Sequence, residues 1–216
     1  MHSVLFPERY GILVNMKTTV LVLGGGETFP SKEAFVEDLQ TKDVYLERMK
    51  YVPNWKQGLQ SELGDDFDVL LPRMPMADNA EYDLWKLWFE KVMEALNRPC
   101  ILVGHSLGAM FLLKYLSEQK PKNFINALFL VAPEYVGPQS TPQTSFDLLE
   151  SISPITDVVQ HIVFFHSEDD PVVSFENQAI FKNLLPQAEY VALSGRGHFN
   201  VPHIPEFLER VRVVRV

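Results

Sequence analysis

Three side chains of this 216-residue sequence, taken in chain order, have the types that acyl transfer needs: a serine, a carboxylate and a histidine. The serine is Ser106, at the centre of Gly104-His105-Ser106-Leu107-Gly108. An apolar run, Cys100-Ile101-Leu102-Val103, leads into it, and a helix-forming run from Ala109 to Leu116 follows. Strand, sharp turn, helix is the setting in which a Gly-x-Ser-x-Gly serine stands exposed at the end of a parallel sheet. The glycines have a steric reason, because the turn is strained and strand and helix pass too close for side chains at the flanking positions. A serine hydroxyl is a poor nucleophile at neutral pH until a base takes its proton. That base works best when a carboxylate orients it.

One known order of these groups along a chain is serine, acid, histidine. Downstream of Ser106 the candidate bases are His161, His166, His198 and His203. His198 sits in Gly195-Arg196-Gly197-His198-Phe199, a glycine-flanked loop between the last strand and the last helix, where a base projects over the strand ends. His161 begins a strand and His203 lies beside two prolines at a helix start, so surface or capping roles are expected of both. For the acid, Phe164-Phe165-His166-Ser167-Glu168-Asp169-Asp170-Pro171 places three carboxylates at a strand end. Asp170 is preferred because Pro171 fixes the loop just beyond it. Asp169 is the nearest rival, and Glu134, after the preceding strand, is a third choice. The plain alternative for such a cluster is a solvated loop.

The oxyanion pocket needs two backbone donors. One is the amide of Leu107; the other comes from Gly24-Gly25-Gly26, from Gly25 or its neighbour. This glycine loop lacks Gly-x-Gly-x-x-Gly and is not followed by Gly-Lys-Ser/Thr, so a nucleotide site is the weaker reading. No zinc-like His/Cys spacing occurs, and no cofactor or metal is implied. His105 reads as structural or pocket-lining. Guesses for the pocket wall are Met74, Met76, Tyr135, Val136 and Val172.

The elements that must hold these residues alternate along the chain. Strands are expected at 18–23, 67–71, 100–104, 124–132, 161–165 and 188–193. The first is a nearly uninterrupted β-branched and apolar run, the pattern of a strand covered on both faces. Helices are expected within 31–63, divided by Pro53, and at 81–96, 107–118 and 175–185, with a last one carrying Ile204, Phe207, Leu208 and Val211. In the 81–96 helix, Trp85, Trp88, Phe89, Val92 and Leu96 form an apolar stripe that reads as core packing. The stretch 133–156, with Pro133, Pro138, Pro142 and Pro154, reads as a loop with at most one helical turn. Such alternation predicts an α/β fold with a mostly parallel central sheet flanked by helices on both faces. One domain over 1–216 is expected, with residues 1–16 an N-terminal extension or edge strand and Met16-Lys17 resembling a native start.

Bulk composition narrows the partners. A formal net charge of −9 disfavours nucleic acid and anionic membrane. The lone cysteine, Cys100, excludes an intramolecular disulfide and reads as an inert core thiol. No signal peptide and no membrane-spanning apolar run are seen, so a cytoplasmic protein acting on a small-molecule acyl substrate is expected.

With these motifs placed, the sequence resembles the α/β-hydrolases, and among them the retinoblastoma-binding-protein-9-like small serine hydrolases. The resemblance runs from about Val20 onward. Gly104-His105-Ser106-Leu107-Gly108-Ala109, Asp169-Asp170-Pro171 and Gly197-His198-Phe199-Asn200 carry it, with weaker support from Met74-Pro75 ahead of the tryptophan-containing helix. It implies an α/β-hydrolase fold without a large cap domain, and Ser106, Asp170 and His198 as nucleophile, acid and base. Three differences stand out: His166 where relatives carry glycine, no Asn in the first loop, and a longer helical segment around 31–50 that can cover the pocket. Retinoblastoma binding is not implied, because Cys100 lacks Leu-x-Cys-x-Glu surroundings. The expected activity is that of a serine hydrolase cleaving an ester, thioester or amide, most simply a carboxylic-ester hydrolase. The alternatives are a non-catalytic binding protein on the same fold, or an acyltransferase or perhydrolase using the same three residues.

Overall fold

The computed structural model describes residues 17–50, 52–141 and 143–214. The expected extension or edge strand over 1–16, and Pro142, lie outside the described residues. Six strands form one all-parallel sheet in the order β2-β1-β3-β4-β5-β6. They are β1 (Thr18–Leu23), β2 (Phe67–Leu70), β3 (Cys100–His105), β4 (Ile125–Val131), β5 (Ile162–Ser167) and β6 (Glu189–Leu193). The helices are α1 (Lys32–Thr41), α2 (Trp55–Leu63), α3 (Tyr82–Leu96), α4 (Leu107–Glu118), α5 (Asn177–Leu184) and α6 (Pro205–Val213).

The unbroken apolar runs are explained by a core on each side of the sheet. Leu21, Leu23, Leu102, Leu128, Leu130 and Phe164 pack against α3, α4 and α5. Their neighbours Val20, Val22, Ile101, Val103, Phe129 and Phe165 pack against α2 and α6. Successive residues of a strand point to opposite faces, so a strand covered on both must be apolar throughout. The edge strands β2 and β6 have fewer buried positions than β1, β3 and β5. Every strand end that carries a candidate residue therefore emerges on the same edge of the sheet. That is where open parallel sheets place their ligands.

Two expectations are corrected here. The stripe of α3 runs through Tyr82, Trp85, Phe89 and Met93, all buried, whereas Trp88 is 40% exposed and Val92 and Leu96 are only partly buried. Steps of three, four and four residues follow one helix face, and Trp88 lies off it. Phe124 is outside β4 and 67% exposed.

The chain between β4 and β5 contains a single short 3-10 turn, Ser153–Asp157, so no large cap domain is built there. Instead it forms a strap held by apolar anchors. Phe146, Leu148, Ile152 and Ile155 are buried, and the Phe146 ring lies 5.3 Å from Trp85 and 6.0 Å from Tyr82. Cys100 opens β3 fully buried, and burial pushes its thiol up to about 12. The first helix, α1, differs from the rest in burying none of its residues. Among the described residues no helix is long and apolar enough to cross a membrane.

Candidate active site

Ser106 follows β3 directly and precedes α4, with φ 55° and ψ −125°. A non-glycine residue in that region costs on the order of 1–3 kcal/mol and persists only where the surroundings impose it. Here they do. The Ser106 N–H donates to Val131 O at 2.9 Å, and its carbonyl accepts from Ala109 N at 2.8 Å. The flanking glycines are required by packing rather than by dihedral. A Cβ at Gly104 would stand 2.5 Å from Ala109 Cα, and one at Gly108 would stand 2.4 Å from Gly24 O. Both would strike backbone, which cannot move aside cheaply.

Asp170 and His198 meet across the ends of β5 and β6. His198 Nδ1 lies 2.9 Å from Asp170 Oδ2 and 3.1 Å from Oδ1. Donation from Nδ1 leaves Nε2 free to accept a proton. The side chains are 2% and 10% exposed, so the pair is largely withdrawn from water. Asp170 Oδ1 also accepts the N–H groups of Val172 and Val173 at 2.8 and 3.0 Å, a turn whose second residue is Pro171. Hydrogen bonds of this kind fix the orientation of the carboxylate.

The rival acid, Asp169, has a different position. Its Oδ1 accepts from Ser167 Oγ at 2.5 Å, from Gly195 N at 2.9 Å and from Gly197 N at 3.4 Å. The Ser167 hydroxyl, followed by these backbone amides, holds the carboxyl below the usual range. Asp169 thus fastens the loop that carries His198 to the loop that carries Asp170. Gly195 and Gly197 have φ +72° and +50°, which explains the glycines around the histidine. Glu134 stands off the histidine, in the wall of a neighbouring cavity, where burial raises its carboxyl.

The other histidines among the described residues take structural places. His166 is buried in β5 with Nε2 donating to Pro133 O at 3.0 Å, and burial lowers it to about 4. His161 packs edge-on to Phe129, and His203 pairs with Glu62 at the surface. His105 is buried and lines the cavity beside Ser106. Its Nε2 donates to His198 O at 3.0 Å and its Nδ1 accepts from Lys56 Nζ at 3.1 Å. Burial, then the nearby Lys56 charge, holds His105 well below the ordinary histidine range, so it is neutral.

Gly25 lies against Ser106: a Cβ there would stand 3.1 Å from Ser106 Cβ. Among the described residues no protein acceptor takes the N–H of Leu107, Gly25 or Gly26. Two cavities meet at Ser106. One, of about 370 Å³, is walled by Phe29, Leu107, Met110, Val136 and Val173; the other, of about 610 Å³, by Gly25, Phe35, Leu39, Lys56 and His198. Val172 borders both. Ser106 and the His198 ring share the larger cavity without a direct hydrogen bond between them. Such contacts are often long in an unliganded site.

Of the guessed wall residues, Val136 and Val172 are present. Met74 is instead buried in the core, Met76 points to solvent, and Tyr135 faces a separate cleft. Of the segment around 31–50, Phe35, Asp38 and Leu39 of α1 and Lys42 just after it line the cavities. Lys56 went unnoticed in the sequence. Its one legible signal is a cation in the first turn of a helix, where the backbone dipole favours acids.

A parallel sheet with helices on both faces, a strained serine on the strand-to-helix turn and a buried histidine–aspartate pair define a hydrolase of the α/β-hydrolase fold. The chain belongs to the serine hydrolase family, whose profile matches residues 52–209. The retinoblastoma-binding-protein-9-like hydrolases fall in the same superfamily. No curated protein sequence matches significantly. Among solved structures, the ydeN gene product from B. subtilis is similar with a TM-score of 0.66 at 16% identity, over 90% of this chain and 97% of that one. A thioesterase domain from the curacin biosynthetic pathway gives 0.59 at 15% identity, over 91% and 92% of the two chains. Est1E from Butyrivibrio proteoclasticus gives 0.57 at 15% identity, over 91% and 86%. At these identities the likeness is one of fold.

Proposed function

We propose that the chain hydrolyses a carboxylic ester, or the equivalent thioester or amide, through an acyl-enzyme on Ser106. The Ser106 hydroxyl gives its proton to His198 Nε2 as Oγ bonds the substrate carbonyl carbon. The carbonyl oxygen becomes an oxyanion facing the amides of Leu107 and Gly25. Collapse breaks the bond to the leaving group, which takes the proton from His198. Water then repeats the sequence on the acyl-enzyme, releasing a carboxylic acid and restoring Ser106. Asp170 holds the Nδ1–H tautomer and stabilises the transient imidazolium.

The observation that carries this reading is the 2.9 Å contact of His198 Nδ1 with the withdrawn Asp170 carboxylate, beside the strained Ser106. A group built only for binding has no need of a desolvated acid–base pair next to a serine held at φ 55°. The test is a fluorophosphonate probe followed by peptide mapping. Labelling of Ser106, lost in Ser106→Ala and slowed by about 10³-fold or more in His198→Ala, is expected. A folded wild-type chain that never reacts at Ser106 would sink the proposal.

A further inference from the structure

One cation of the larger cavity is unaccounted for by this chemistry. Lys56 sits in the first turn of α2 and reaches the cavity that holds Ser106 and His198. Its neighbour in that cavity, Lys42, is committed to Glu27, at 3.0 and 2.8 Å, and to Asp38 at 3.2 Å. Among the described residues Lys56 forms no ion pair. Its ammonium makes one hydrogen bond, to the neutral His105, and lies 5.3 Å from the centre of the Trp55 ring, which leaves two of its N–H groups without a hydrogen-bond acceptor among those residues.

The position works against the charge in two ways. The helix dipole already places positive potential at the start of α2. Burial removes water from the ammonium and lowers it to about 8. A cation kept at such a place is expected to meet its counterion only when something binds. The other charged or titratable groups facing this space are Glu27, Lys42, Asp78, His105 and His198. Glu27 is neutralised by Lys42, and Asp78, which also lines the cavity, disfavours an anion beside itself. On the Lys56 side stands Asn200, whose amide is a neutral donor. Its loop is tied to the start of α2 by Trp55 N donating to Val201 O at 2.9 Å.

From this arrangement, and resting on the hydrolase reading above, we propose that Lys56 recognises a carboxylate on the substrate. The preferred substrate then has two unlike halves. Its apolar half lies against Phe29, Leu107, Met110, Val136 and Val173 in the 370 Å³ cavity, away from Glu27, Asp38, Lys42 and Glu134 that also line it, and its other half ends in a carboxylate held by Lys56 with Asn200 beside it. The carboxylate can belong to the acyl part or to the leaving alcohol, and two substrate series separate these. Dicarboxylic acid half-esters are compared with the matching diesters. Butyryl esters of hydroxycarboxylic acids are compared with the same esters carrying a methylated carboxylate.

In the wild type at pH 7, one series is expected to favour the free carboxylate by about tenfold or more in kcat/KM, mainly through KM. The ratio should fall to near one in Lys56→Met and survive in Lys56→Arg. It should also fade as pH rises through about 8, because the ammonium loses its charge there. A ratio near one in both series, or a ratio that persists in Lys56→Met, overturns the proposal. Thermal unfolding checks each variant, with Lys56→Gln in reserve if the methionine variant does not fold. Normal fluorophosphonate labelling with no carboxylate preference would remove the Lys56 reading and leave the hydrolase reading standing. If Ser106 does not label at all, calorimetry of half-ester binding to Ser106→Ala decides the question. Adding Lys56→Met should weaken that binding about tenfold, and equal affinity overturns the proposal.

Discussion

Two of the helices that border the cavities around Ser106, α4 and α1, are held in opposite ways. The elbow helix α4 buries nine of its twelve residues and passes so close to β1 that Gly108 lies against the Leu23 and Gly24 carbonyls. Helix α1 buries none and is tied down by a Ser31 cap, the Phe29–Phe35 ring contact and the Lys42 ion pairs. Burial of apolar side chains contributes about 1.5–3 kcal/mol each, whereas an exposed ion pair contributes about 0–1 kcal/mol. Ser106 is therefore set by the core, and the α1 wall of its cavities is set by the surface. The first cannot shift without unfolding the sheet; the second can change with substrate at small cost.

The sharpest way to break this contrast is Gly108→Ala, whose new Cβ would meet two backbone carbonyls at 2.4 and 2.7 Å. A loss of about 3 kcal/mol is expected, lowering the melting temperature by roughly 6–12 °C. A variant melting like the wild type would show that the elbow is not fixed by packing. Next in size is Asp169→Ala, which unfastens the His198 loop while leaving the Asp170 contact in place. Here kcat/KM should fall by about 10–100-fold, with a melting temperature close to the wild type. A fall as large as that of His198→Ala would instead make Asp169 the acid. The smallest effect is expected from Lys42→Met on the α1 side. Its melting temperature should move by less than about 3 °C, while KM shifts by about threefold and the wild type approaches the variant in molar salt. A stability loss matching that of Gly108→Ala would erase the distinction between the two helices.

How legible each part was follows from the same contrast. The places of Ser106, Asp170 and His198 in the fold were legible because each follows a strand whose apolar run and glycine or proline punctuation are local signals. The central strands were legible because burial on both faces leaves few polar residues to blur them. Trp88 misled because residue type was weighed ahead of spacing; the register through Tyr82, Trp85, Phe89 and Met93 excludes it. The job of Asp169 was hidden because its partners, Gly195 and Gly197, lie more than twenty residues away across two strands. Lys56 was hidden for a similar reason. Nothing in Asn54-Trp55-Lys56 says that the helix start will be laid against residues 198–201.

Cys100 has a use beyond packing. It is the only thiol in the chain, it is fully buried, and five residues separate it from Ser106 along the strand that ends in the elbow. An alkylating reagent can reach it only when β3 opens, and its raised pKa keeps it unreactive until then. The rate of thiol labelling therefore clocks the opening of the central strand, while the rate of serine labelling clocks the site. One sample treated with both reagents would tell whether a variant has lost its chemistry or lost its scaffold.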